Sequence, residues 1–238
     1  MTASSNSTSS VRIARILGVE VRLHWTFLVM VVLVAWANAG SGAATMAVGS
    51  LWIAAIFGSV LVHELAHCVV ARHRGAVVED ILLLPIGGLS QLHKMPEAAG
   101  DELAIGIVGP LASFGLALGV AGAGLALHAR MWPPALFAGS WFARLFWLNV
   151  LLGGFNLLPA LPMDGGRVLR AALARHRDRR VATRLAAQVA RFFAVLMIAG
   201  GFAYDLWLVV IGVFVFLGAA AEEQAIESAH PRDDGPEA

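Results

Sequence analysis

Long apolar stretches separated by short polar segments dominate the chain. A helix that crosses a hydrocarbon layer needs about 20 mostly apolar residues. Six stretches fit that pattern: 25–39, 48–70, 103–127, 137–158, 181–202 and 206–221. The third carries Gly106, Gly109, Gly115 and Gly119, small residues that let helices approach closely. The fifth opens on an amphipathic, arginine-bearing turn. The pattern predicts an all-α polytopic membrane protein with six transmembrane helices.

Two connections break this period. Residues 76–92 are β-branched and apolar, interrupted by Pro85 and by Gly87-Gly88. The segment is too short to span as a helix and reads as strands or a re-entrant hairpin. A short membrane-embedded β hairpin or sheet is therefore expected between helices two and three. Backbone at that depth must be satisfied by protein or by water in a cavity. The second connection, residues 156–166, reads Asn-Leu-Leu-Pro-Ala-Leu-Pro-Met-Asp-Gly-Gly. Its prolines and glycines stop the helix after span four. Residues 1–20 are expected as a disordered cytoplasmic tail, 21–221 as the membrane-embedded core, and 222–238 as a disordered acidic tail.

Composition agrees with the pattern. The chain is 58% hydrophobic and 14% charged, with mean hydropathy +0.75, against about 45–50% and about 25% for a soluble domain. A net charge of +1 gives no reason to expect a nucleic-acid partner. The single cysteine, Cys68, excludes an intrachain disulfide. Arginine and lysine cluster before span one, between spans two and three, and between spans four and five. That bias places both termini and those loops in the cytoplasm, as a multi-pass protein of the cell (inner) membrane.

Against this background one polar turn stands out. Span two contains His63-Glu64-Leu65-Ala66-His67. Positions i and i+4 lie on one helix face, so both imidazoles can reach a single ion. Glu64 can reach a water on that ion without ligating it, which is the arrangement by which a metal lowers the pKa of water and a carboxylate takes its proton. The competing reading is a solvated polar turn at the headgroups, but three ionisable groups in one apolar turn are costly without partners. A catalytic zinc takes three protein ligands and keeps one position open. Asp101, Glu102, Asp164 and Asp205 are the carboxylates near a span. Asp205 falls on the opposite side, and Asp101 and Glu102 read as helix-start carboxylates facing the dipole. Asp164, followed by two glycines, is favoured; its alternative is a helix N-cap. Asn156 has two readings of equal weight, a substrate hydrogen-bonder or a local cap. Gly87 and Gly88 are either a plain turn or a strand edge open to an extended substrate.

These residues together resemble the site-2 protease family of intramembrane metalloproteases, in its compact form without PDZ or CBS domains. The resemblance rests on His63-Glu64-Leu65-Ala66-His67, on the segment from Asn156 through Asp164 to Arg167, and on Gly87-Gly88 and Gly109-Pro110 at matching places. It implies one zinc ion per chain held by His63, His67 and Asp164, with Glu64 as catalytic base. It implies cleavage of a transmembrane protein substrate, such as a membrane-tethered transcription regulator or an anti-sigma factor. Ser113 stands where such proteins often carry Asn. The rival reading is a catalytically inactive zinc-binding scaffold or a metal carrier, for which Glu64 would be unnecessary.

Overall fold

The computed structural model describes residues 10–37, 40, 42–84, 87–93, 98–132, 134, 136 and 139–229. The tail residues 1–9 and 230–238, and Pro85 and Lys94, lie outside the described residues. The elements run β1 (Ser10–Ile16), β2 (Val19–His24), α1 (Trp25–Ala37), α2 (Ala43–His73), β3 (Val77–Leu84), β4 (Gly87–His93), α3 (Ala99–Ala126), α4 (Trp141–Asn156), α5 (Asp164–Ala174), α6 (Arg179–Tyr204) and α7 (Leu206–Ala229).

Among the described residues, four helices are long and apolar enough to cross a membrane: Ala43–His73, Ala99–Ala126, Arg179–Tyr204 and Leu206–Ile226. The other two expected spans are shorter helices. α1 has 13 residues, about 20 Å at 1.5 Å per residue, against a hydrocarbon thickness of about 30 Å. α4 has 16 residues. Apolar composition predicted both helices, but α4 ends at Asn156, before the apolar run does, so composition overstates its length.

The expected tail is also structured in part. Residues 10–16 form β1 and 19–24 form β2, joined by Leu17 and Gly18 at positive φ. In β2, Val19, Val21 and Leu23 alternate with Glu20, Arg22 and His24, the period of two that a strand requires. This hairpin joins β3 and β4 into one sheet in the order β1-β2-β3-β4. The β2–β3 pair is parallel, and the β1–β2 and β3–β4 pairs are antiparallel. The expected acidic tail likewise begins as helix, because α7 continues to Ala229.

The chain forms two compact units, Met1–Pro96 with Val108–Gly153, and Glu97–Ile107 with Gly154–Ala238. In the first, Val19, Val21, Ile81 and Leu83 of the sheet enclose Cys68 of α2, with Leu61 and Leu65 packed against them. α1 meets α2 through an edge-on contact of Phe27 and Phe57 with centroids 4.3 Å apart. In the second, Ala186, Ala187, Ala190 and Ala194 of α6 pack with Val215 and Ala219 of α7 and with Ala160, Leu161 and Met163. Small side chains bring these helices close: a Cβ on Gly212 would lie 2.8 Å from the Ala194 carbonyl oxygen.

Candidate metal centre

α2 divides its faces. Cys68 points into the sheet core, fully buried. Its neighbour in sequence, His67, is turned about 100° away and lies with His63 on another face, each 5% exposed or less. The two Nε2 atoms sit 3.2 Å apart. Two nitrogens each about 2.0–2.1 Å from one tetrahedral ion are separated by about 3.3–3.4 Å, so the pair has the spacing of chelating ligands.

What faces this pair is α3. Gly109 presents no side chain there; a Cβ on it would lie 2.1 Å from His67 Nε2 and 2.7 Å from His63 Nε2. The space against the donor nitrogens is therefore open only because residue 109 is glycine. One turn further along α3, the Ser113 hydroxyl is 2.9 Å from His63 Nδ1. Both imidazoles thus direct Nε2 to a common point, and one of them is held by its other nitrogen. The donor set, the spacing and the cleared space fit a zinc ion.

Glu64 is half-buried beside the pair. β4 runs against it: a Cβ on Gly88 would lie 2.5 Å from Glu64 Cγ. Gly87, at φ 141°, opens the same strand. β4 pairs only with β3, so it is an edge strand of the described sheet. Sequence reasoning read the two glycines as a turn or as a strand edge; both lie on β4, Gly87 pairing with Leu84 and Gly88 with Leu83, and Gly88 lies beside the Glu64 side chain.

Asn156 and Asp164 belong to the second unit. Asn156 is the last residue of α4, and Asp164 is the first of α5. The cap position of α5 is Met163, with no side-chain cap, so the N-cap reading of Asp164 is set aside. Asp164 is 8% exposed, a burial that a carboxylate tolerates only with a partner. Its segment is tightly wound: a Cβ on Gly165 would lie 2.3 Å from the Leu157 and Leu158 carbonyl oxygens, and one on Gly166 2.3 Å from the Leu161 nitrogen.

Glu102 departs from its sequence reading. It does sit in the first turn of α3, but it is 2% exposed and bound by the buried Arg170 of α5, with Nε 2.7 Å and Nη2 2.5 Å from Oε1. Arg170 also donates to Glu222 of α7 at 2.7 Å. Burial opposes the arginine charge, but Glu102 and Glu222 outweigh it and raise its pKa above the ordinary value. Arginine is common in the segment around Arg170, so nothing in the sequence singled this one out.

The model of peptidase family M50 matches residues 51–139 and 134–200, a range that includes most of α2 and all of α3 and α5. The chain belongs to peptidase family M50. Among M50 relatives, zinc metalloprotease MJ0392 of Methanocaldococcus jannaschii is 37% identical over 92% of this chain and 62% of its own length. Rip3 of Mycobacterium tuberculosis is 35% identical over 92% of this chain and 60% of its own. The M50 chain described here thus spans about six tenths of the length of these relatives. The solved structure of the site-2 protease from Methanocaldococcus jannaschii matches with a TM-score of 0.65 at 34% identity, covering 90% of this chain and 95% of that one.

Proposed function

We propose that this chain is an intramembrane zinc metalloendopeptidase, cutting peptide bonds within or near transmembrane segments of membrane proteins. The observation that carries the proposal is the buried His63–His67 pair, with its Nε2 atoms at chelating separation and Glu64 on the same helical turn. M50 membership and the zinc metalloprotease MJ0392 as a relative support it. Asp164, buried and offering one carboxylate donor, is the third ligand in this reading. One zinc ion per chain results.

Zinc bound there supplies Lewis acidity toward a peptide carbonyl and lowers the pKa of water. The residues do the rest. Glu64 accepts the proton of the attacking water and passes it to the leaving amine. The edge of β4 at Gly87 and Gly88 receives an unwound substrate as an added strand, which sets its backbone beside Glu64. Asn156 donates its amide to a substrate carbonyl. The substrate class is a membrane-tethered regulator, such as an anti-sigma factor or a transcription factor. The arginine bias supports a location in the cell membrane with both termini cytoplasmic.

The test uses the full chain in lipid vesicles with a transmembrane substrate. Cleavage stops on adding a zinc chelator and returns with zinc. Asp164→Asn, which keeps shape but loses the charge, lowers zinc content below one per chain. Cleavage indifferent to the chelator would overturn the zinc reading; full zinc occupancy in the Asp164 variant would move the third ligand elsewhere.

A further inference from the structure

Resting on the zinc reading above, we propose that Ser113 is the positioning residue that fixes His63 as an Nε2 ligand. A neutral imidazole carries one N–H, and the group bonded to one nitrogen decides which nitrogen is left to bind a metal. At His63 that group is the Ser113 hydroxyl, 2.9 Å from Nδ1. With Nδ1–H donating to Oγ, the Nε2 lone pair faces His67 Nε2 at 3.2 Å. The opposite tautomer would aim a proton at the point both nitrogens share.

The arrangement is specific to this face of α3. Gly109 and Ser113 are i and i+4 neighbours, one above the other. Gly109 clears the metal side of the two rings, where a Cβ would collide with both Nε2 atoms. Ser113 grips the far side of one ring. Its own exposure is 1%, so no bulk water competes for the bond. Ser113 is short enough to bond the ring from one turn beyond Gly109 without entering the space that Gly109 leaves. A residue holding a ligand from behind in this way is worth about 10–100-fold in metal affinity.

The test measures zinc affinity of the full chain in detergent by competition with a chromogenic chelator, and the visible absorption of the cobalt-substituted protein. Ser113→Ala weakens zinc by about 10–100-fold and shifts the cobalt bands, because the His63 ring loses its bond at Nδ1. Ser113→Thr retains the hydroxyl and keeps wild-type affinity and spectrum. Ser113→Cys, with a weaker acceptor of similar size, falls between. That order, hydroxyl above thiol above methyl, is the signature of a held ring. Affinities that are flat across the series, or that follow side-chain volume with Thr as poor as Ala, overturn the proposal and leave Ser113 a packing residue. Wild-type protein that binds no zinc would sink the underlying reading instead, so the two failures are distinct.

Discussion

Glu64→Gln is expected to reduce cleavage of a transmembrane substrate by about 10²–10⁴-fold, the usual contribution of a positioned general base, while zinc stays at one per chain. Glutamine matches glutamate in shape but cannot accept the proton. The proposed ligands His63, His67 and Asp164 do not include residue 64, so occupancy has no reason to change. The local geometry makes the variant a clean one. Glu64 packs along β4, where Gly88 has no Cβ to meet its side chain, and an amide of the same volume fits the same groove. Measuring zinc and turnover on the same preparation separates catalysis from folding. Equal cleavage by wild type and variant would remove Glu64 from the mechanism.

Arg170→Ala has the largest expected effect on stability, a loss of about 3–5 kcal/mol, as when one partner of a buried ion pair is deleted. Arg170 and Glu102 have side-chain exposures of 6% and 2%, so the carboxylate left behind would be buried. The other cation paired with it among the described residues, Arg179, is 3.6 Å away and 40% exposed, too distant and too solvated to replace a two-pronged guanidinium. Arg170 ties the start of α3 and the end of α7 to α5, the helix that Asp164 opens. Unfolding in detergent, followed by circular dichroism, reads the effect. The pair Arg170→Met with Glu102→Leu is expected to recover most of the loss, since an apolar pair of similar volume often replaces a buried ion pair without cost. A loss under about 1 kcal/mol for Arg170→Ala, typical of an exposed pair, would show that Glu102 finds another partner.

The two predictions probe residues of unequal visibility. Glu64 was legible because its neighbours His63 and His67 are four apart, and the α-helix converts that spacing into one face without help from the rest of the protein. Cys68 was legible for the same reason, as the residue turned to another face. Glu102 was legible only as a residue near a helix start. Its partner Arg170 lies 68 positions away, among several arginines of equal standing in the sequence. The sheet was half legible. The β3–β4 hairpin announced itself by β-branched residues around two glycines. The β1–β2 hairpin was missed because the polar residues that precede it led the first twenty residues to be read as one tail, although β2 alternates apolar and polar positions throughout.

What the sequence determined by itself was everything carried by spacing within one element: the apolar helices, the paired histidines with Glu64 between them, and the helix break before Asp164. What the tertiary structure decided was which distant residue meets which. It put Gly109 against both imidazoles, and Ser113 behind His63 across 50 positions. It also laid Gly88 beside Glu64 and buried Arg170 on Glu102. The physical reason is that a helix repeats its own geometry every 3.6 residues, whereas contacts between elements follow from packing small against large, and no local period encodes them.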